Sequence, residues 1–201
     1  MARPLRMEGS GMWYHVMARG DDGRVLFAHQ REFRNFLERL GQLCALFKIE
    51  VHAYAVMGTH VHLFVCTTEP NLSRFMQRLL TGYSVWYNRR RERTGHVFQG
   101  RYKAIVVDRD DYGADVSRYI HLNPARAQTA GDLARMRQTA RSYPWSSYRA
   151  YLGLAPAPAF LCTHATLEAF GGDTAKARAK YAEFVESGLL RDVPELGEQV
   201  K

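Results

Sequence analysis

The chain has 201 residues and a mass of 23.0 kDa, with 46% hydrophobic and 24% charged residues, which favours one domain with an appendage over a multidomain array. No run reaches the roughly 20 apolar residues of a membrane span, and the start MARPLRMEGSG lacks the apolar part of a secretory signal, so we expect a cytoplasmic protein. The net charge is +8, with +10 in residues 1–153 and −2 in residues 154–201, which predicts a polyanionic partner bound by the first part of the chain.

The first half of the chain alternates strand and helix patterns. The predicted elements are a strand at 12–19, an amphipathic helix at 29–48, strands at 49–57 and 60–66, a helix from 72 into the basic run 88–93, and a strand at 102–108. This order predicts an α+β fold of the ferredoxin-like or split βαβ type. Its four-stranded antiparallel sheet carries both helices on one face and leaves the other face free for a ligand.

A third helix is predicted at about 110–122, where it could lie across the free face of the sheet before Pro124 stops it. An aromatic segment at 142–153 and a short helix at 173–187 follow. We therefore divide the chain into a first domain, 1–130, and a C-terminal aromatic segment with a helical tail, 131–201.

Three cysteines are widely spaced among apolar neighbours. They are Cys44, Cys66 and Cys162. This odd number and spacing argue against a disulfide framework and against a cysteine-based zinc site. We predict buried thiols.

The second strand of the predicted hairpin carries two histidines in alternate positions. Alternate residues share a face of a strand, so His60 and His62 stand side by side on the open face, roughly 6.6 Å apart at Cα. Val61, Leu63 and Val65 face the core instead. Two imidazoles at this spacing are close enough to share a metal ion, although ordinary surface or core histidines produce the same pattern.

On the third helix, Tyr119 and Asn123 are four residues apart and therefore share one face. If this helix crosses the sheet, Asn123 could complete a site of two imidazoles and one amide, with the phenol of Tyr119 beside it. A tyrosine is a poor nucleophile at its ordinary pKa near 10, so this chemistry requires a metal ion or cationic surroundings. The alternative is that Tyr119 only packs and Asn123 caps the helix before Pro124.

Four ordered motifs over about residues 12–153 carry a family resemblance. MGTHVHLFV resembles the metal-binding motif of the HUH superfamily, in which one hydrophobic residue separates two histidines. RTGHVFQGRYK, DY followed by RYIHLNPARA, and YPWSSYRAYLG are similar to segments of the REP-associated tyrosine transposases, relatives of the single-tyrosine transposases of simple insertion sequences. Many relatives have Asn just before the first histidine, where this chain has Thr59.

The resemblance implies a metal-dependent endonuclease and strand transferase that acts on single-stranded or hairpin DNA through a 5′-phosphotyrosine. It makes Tyr119 the nucleophile, and His60, His62 and Asn123 the ligands of a divalent ion, Mg²⁺ or Mn²⁺. Imidazoles suit Mn²⁺ better, whereas cellular abundance favours Mg²⁺. The oligomeric state, monomer or homodimer, is left open.

Residues 74–103 carry eight basic residues and one acidic residue, interleaved with aromatic residues. Positive charge holds phosphates, and exposed rings stack on unpaired bases. The DNA-binding residues we predict are Arg89, Arg90, Arg91, Arg93, Phe98, Arg101, Tyr102 and Lys103. Tyr83 and Trp86 are expected in the core. The alternative is a solvated helix end, and the preference for Arg over Lys also fits a GC-rich genome.

Two other functions fit parts of the pattern. A non-catalytic single-stranded nucleic-acid-binding module of the RNA-recognition type has the same fold, but its glycine and aromatic signature is missing from the strands, and His60 and His62 occupy the sheet position it would use. A histidine-rich hydrolase of a small phosphate ester would not need so much positive charge in one segment.

Overall fold

Four strands form one antiparallel sheet in the order β2-β3-β1-β4 in a computed structural model that describes residues 7–129 and 131–190. The strands are β1 (Met12–Arg19), β2 (Ile49–Val56), β3 (His60–Thr67) and β4 (Lys103–Val107). The helices are α1 (Gln30–Phe47), α2 (Leu72–Arg90), α3 (Arg109–Gln128), α4 (Leu133–Ser142), α5 (Tyr148–Tyr151), α6 (His164–Leu167) and α7 (Ala175–Ser187). The predicted ferredoxin-like α+β fold is therefore confirmed. Within the described ranges, no helix has both the length and the apolarity of a membrane span.

Alternation along β3 separates the core from the functional face, as predicted. Val61, Leu63 and Val65 are fully buried in the core that the sheet forms with α1 and α2. Phe64 points to the other face and packs with Ala53 of β2. A one-residue slip of this register would exchange the two faces, so the buried valines and leucine fix where the histidines of β3 point.

Helix α3 lies across the β2–β3 half of the other face. Val116 and Ile120 are buried there against Phe64. We predicted that this helix stops before Pro124, but in the structure it continues to Gln128. A proline inside a helix lacks the N–H donor and crowds the carbonyl four residues earlier, but the burial of Pro124 and its neighbours supports the additional turn.

The C-terminal part of the chain builds a second core on the end of α3. Leu122 of α3 packs in this core with Tyr148, Tyr151 and Tyr181. The sequence patterns did not predict α4, α5 or α6, whereas the predicted tail helix is present as α7. The division at residue 130 stays a prediction, and residues 191–201 of the second segment lie outside the described part.

The free edge of β2 is covered by the segment after α4. The Val56 amide donates to the carbonyl of Trp145 at 2.9 Å, and the Ser147 amide donates to the carbonyl of Tyr54 at 2.9 Å. The ring of Trp145 stacks on Phe33 at a centroid distance of 4.6 Å. These contacts anchor the aromatic segment on the sheet, and they satisfy backbone groups that an edge strand leaves open.

Two of the three thiols are buried as predicted, and the third is not. Cys44 and Cys66 are buried, Cys162 is half-buried, and all three are free. Burial raises the pKa of Cys44 to about 12 and that of Cys66 to about 11. These groups are therefore protonated at neutral pH and inert as nucleophiles.

Candidate active site

A cavity of about 470 Å³ lies between α3 and the half of the sheet that α3 leaves uncovered. It brings together the four predicted residues of the metal and nucleophile site, His60, His62, Tyr119 and Asn123. The histidines come from β3 and the other two from α3, so the fold supplies all four from a single chain. The rest of the lining comes mainly from β1, β4 and the loop before β4.

Each of the two predicted metal-binding histidines has one ring nitrogen in a hydrogen bond. Nδ1 of His60 lies 3.0 Å from the hydroxyl of Thr59, and Nδ1 of His62 lies 3.0 Å from Nε2 of His15. The two rings are 5.1 Å apart between centroids. No described residue is hydrogen-bonded to either Nε2, so these nitrogens remain available to a ligand in the cavity.

Burial keeps the imidazoles of the cavity neutral. It lowers the pKa of His62 well below its ordinary value, and the neighbouring His15 and His60 lower it further. Burial also lowers the pKa of His60, with an added effect of Arg19. Neutral imidazole is the form that binds metal ions. These shifts therefore favour the neutral, metal-binding form of both imidazoles.

Tyr119 and Asn123 face the histidines from α3. The Tyr119 ring lies 5.7 Å from the His62 ring between centroids, in an edge-on arrangement. The amide nitrogen of Asn123 donates to the carbonyl of Tyr119 at 3.1 Å, so its Oδ1 is free to act as an acceptor or ligand. The guanidinium of Arg126 lies 5.9 Å from the centre of the Tyr119 ring. A half-buried phenol thus stands beside two imidazoles and a cation.

These donors fit a divalent ion. Across the described part of the chain, no group of three His, Cys, Asp or Glu side chains is arranged to hold a metal. Asn123 lines the same cavity, so its amide oxygen is a third candidate donor beside the imidazoles of His60 and His62. A set of two nitrogens and one oxygen with open positions suits Mn²⁺, and Mg²⁺ less well.

The predicted basic residues fall into two groups. Arg101 and Lys103 line the cavity, and Arg89 and Arg90 are exposed at the end of α2. Arg91 and Arg93 are engaged within the protein. The Arg91 guanidinium lies 2.6 Å from the carboxylate of buried Glu32, and Arg93 donates to the side chain of Asn88 at 2.8 Å. The positively charged side chains of the first group have no such partner in the contacts described above.

Two aromatic residues of the predicted DNA-binding set are buried. Phe98 is 7% exposed and packs in the core near Tyr83, and Tyr102 is 6% exposed with its hydroxyl 3.1 Å from that of Ser73. A bridge between Phe98 and Gly20 fixes this loop to the end of β1. The prediction that these two rings are exposed is therefore wrong. Tyr83 is buried and Trp86 partly buried in the core, as predicted.

Three polar residues of the cavity were missed in the sequence. They are His15, Arg19 and Gln99. Alternation along β1 places His15 and Arg19 on the face shared with the histidines of β3. That signal was present in MWYHVMAR, but it identifies contacts only when the order and register of the strands are known. In the structure, β1 is the direct neighbour of β3, with Arg19 opposite His60.

Comparisons with solved structures show where this fold occurs. The structure of a REP-associated tyrosine transposase bound to a REP hairpin matches with a TM-score of 0.58 and 16% identity, covering 78% of this chain and 89% of that one. A candidate transposase from Deinococcus radiodurans R1 matches with a TM-score of 0.42 and 16% identity, covering 59% of this chain and 95% of that one. At such identity, the first match shows a shared fold.

Sequence comparisons supply the family. No curated protein matches the chain. Residues 9–123, more than half of the chain, match the family model described as "Transposase IS200 like". This range contains both cavity histidines of β3, and it ends at Asn123. The family resemblance seen in the motifs is thereby confirmed, and the chain belongs to the IS200-like transposase family of DNA-cleaving enzymes.

Proposed function

We propose that this transposase is a metal-dependent single-strand DNA endonuclease and strand transferase that acts through a 5′-phosphotyrosine. One observation carries the proposal, namely that Tyr119 and Asn123 of α3 face His60 and His62 of β3 across one cavity. A nucleophile and three metal-binding donors in one chain are what this chemistry needs.

His60 and His62, through Nε2, and Asn123, through Oδ1, would hold Mg²⁺ or Mn²⁺. When bound, the ion polarises the scissile phosphodiester. Tyr119 supplies the nucleophilic oxygen, which attacks phosphorus in line with the leaving 3′ oxygen. A bond forms between the phenolic oxygen and phosphorus, the bond from phosphorus to O3′ breaks, the phenolic proton passes to solvent, and O3′ takes up a proton. The reverse reaction reseals the strand and conserves the bond energy, so ATP is not required.

Positive side chains at the cavity position the strand. Arg19, Arg101 and Lys103 line it on the side of β1 and β4. Charged groups of this kind hold phosphates without reading sequence. They set the register of the backbone relative to Tyr119, whereas the base pairs of a hairpin would determine which phosphate is presented.

The substrate we propose is hairpin or palindromic DNA. The REP-associated transposase that shares the fold was solved on a REP hairpin, and the positive cavity rim is compatible with a DNA backbone. The RNA-recognition alternative has less support, because α3 covers half of the sheet face and Phe98 and Tyr102 are buried. Such a module would bind nucleic acid but form no covalent product.

The experiment is to incubate the protein with Mn²⁺ and 3′-labelled hairpin DNA, because a 5′-phosphotyrosine retains the fragment with the 3′ end, and to look for a protein–DNA species that survives denaturing electrophoresis. Tyr119→Phe should bind the DNA but form no adduct. Tyr112→Phe is the matched control, because Tyr112 lies on the same helix, is 40% exposed and does not line the cavity. An adduct in Tyr119→Phe, or its loss in Tyr112→Phe, would assign the nucleophile elsewhere.

A further inference from the structure

His15 has no role in the proposed chemistry, yet it makes the most direct contact with the cavity histidines. We propose that His15 is a positioning residue that accepts the Nδ1 proton of His62 and so presents Nε2 of His62 to the metal ion. This inference rests on the proposed function, and it adds a residue from β1 that acts through His62.

The contact is short, buried and specific in geometry. Nε2 of His15 lies 3.0 Å from Nδ1 of His62, and the two rings are nearly parallel, with 18° between their planes. His15 is 1% exposed and His62 is 5% exposed. A hydrogen bond between two rings in this environment restrains the orientation of His62 more than water could.

Only one proton can occupy the space between the two nitrogens. If His62 donates it, its Nε2 carries a lone pair that faces the cavity and can bind a metal ion. If His15 donates it, the proton of His62 must be on Nε2, and the ligand position is blocked. Metal binding therefore requires His15 to be the acceptor, with its own proton on Nδ1.

The charge around the cavity favours the arrangement in which His62 donates from Nδ1 to His15. Arg19, Arg101 and Lys103 line the same cavity as His62. A lone pair that faces cations is more favourable than an N–H dipole that points at them. The tautomer that can bind a metal is thus favoured even before a metal is present.

His15 is not held in place by a second hydrogen bond. Its Nδ1 is buried without a partner among the residues that the structure describes. A buried polar atom without a partner costs stability, so folding alone gives no reason for a histidine at this position. Its contact with His62 supplies one, because outer partners of ligating histidines fix both tautomer and ring orientation.

The test uses two substitutions at one position. Gln can reach His62 with a side-chain oxygen and accept its proton, whereas Phe fills the space without an acceptor. His15→Phe should weaken Mn²⁺ binding about 10-fold to 100-fold, and His15→Gln should stay within a few-fold of the unmodified protein. Electron paramagnetic resonance of free Mn²⁺ during a titration measures the affinity without DNA or catalysis.

His52→Phe is the matched control. His52 is also 1% exposed in the sheet, it does not line the cavity, and it is replaced by the same ring. This variant should bind Mn²⁺ like the unmodified protein. If His15→Phe also binds Mn²⁺ as tightly as the unmodified protein, the proposal is wrong, even when the DNA adduct forms normally.

The tautomer gives an independent readout that needs no variant and no metal. Long-range ¹H–¹⁵N spectra of the metal-free protein should show His62 protonated at Nδ1 and His15 protonated at Nδ1. A His62 ring protonated at Nε2 overturns the inference. If the spectra show the expected tautomers but the protein neither binds Mn²⁺ nor forms an adduct, the positioning geometry stands and the proposed function fails.

Discussion

The side chain of Asn123 is hydrogen-bonded to the main-chain carbonyl of Tyr119, one helical turn earlier, at 3.1 Å from its Nδ2. The bond uses the donor half of the amide and leaves the acceptor half to the cavity. This hydrogen bond therefore ties the orientation of the Asn123 side chain to the backbone of Tyr119.

This relationship predicts different results for two substitutions of Asn123. Asn123→Ala removes the oxygen ligand, so Mn²⁺ affinity should fall at least about 10-fold and adduct yield should fall with it. Asn123→Asp retains an oxygen donor that hard cations prefer, so Mn²⁺ affinity should be kept or increased. Titration calorimetry with Mn²⁺ measures both.

The control for these variants is Gln128→Ala, an exposed position at the end of the same helix. It should change neither affinity nor adduct yield. If Asn123→Ala binds Mn²⁺ as tightly as the unmodified protein, the amide is not a ligand.

A second prediction concerns the salt dependence of DNA binding. Arg101 and Lys103 line the cavity, so the double change Arg101→Ala with Lys103→Ala should remove two phosphate contacts. The log–log slope of affinity for single-stranded DNA against salt should then become shallower by about 1.4. Fluorescence anisotropy at several salt concentrations measures the slope.

The control for the salt slope removes two charges from the opposite side of the sheet. Arg31 and Arg34 are exposed on α1, which packs on the face away from the cavity. Replacing both with Ala should leave the slope unchanged. Equal slopes for the cavity variant and the unmodified protein would contradict a phosphate-binding role for Arg101 and Lys103.

Local periodicity was enough to predict much of this site. Alternation along β3 put His60 and His62 on one face, and the four-residue spacing on α3 put Tyr119 and Asn123 on another. These relationships lie within one element and follow from strand and helix geometry. The roles of the four residues came from the family resemblance and from no single spacing.

What the sequence could not supply lies between elements. The contact of His15 with His62 depends on which strands are neighbours, and the burial of Phe98 depends on a bridge to Gly20 at the end of β1. Similarly, the basic run RRRER showed charge but not the partner of each charge. Arg91 pairs with Glu32, which is 59 residues away in the sequence.

The pairing of Arg91 with Glu32 gives a third prediction. Glu32 is 1% exposed and also accepts hydrogen bonds from the amides of Ala28 and His29 at the start of α1. Burial opposes its charge, but these bonds and Arg91 outweigh burial and lower its pKa below the ordinary value. Arg91 thus neutralises a buried carboxylate.

Arg91→Ala should therefore lower stability by about 1–2 kcal/mol, less than a fully buried pair would cost because the guanidinium is partly exposed. It should leave the salt slope of DNA binding unchanged. Urea unfolding measures the first effect, with Arg90→Ala as the exposed control. If Arg91→Ala is as stable as the unmodified protein and its salt slope is shallower, Arg91 binds DNA rather than stabilising Glu32.

The last prediction concerns acid stability and the buried His52. Burial lowers its pKa to about 4, and Arg109 adds to this effect, whereas a contact with the backbone of Cys162 opposes it. Glu50 lies 3.4 Å from Nε2 of His52, but that carboxylate is half exposed, so burial dominates. The ring packs on Trp13 at a centroid distance of 4.0 Å.

In the unfolded chain, His52 titrates near its ordinary pKa of about 6.5. Between pH 6.5 and 4 the unfolded state therefore binds one more proton at this position than the folded state, and stability falls as the pH falls, by up to about 1.4 kcal/mol per pH unit.

His52→Phe removes this contribution while a ring still packs on Trp13. The free energy of unfolding in urea, measured from pH 7.5 to 4.5, should decline less steeply in the variant by about that amount near pH 5. Some decline should remain, because burial also lowers the pKa of His15 to about 4 and that of His121 to about 3. If the curves for the variant and the unmodified protein are parallel, the pKa of His52 is the same in the folded and unfolded chains and the prediction is wrong.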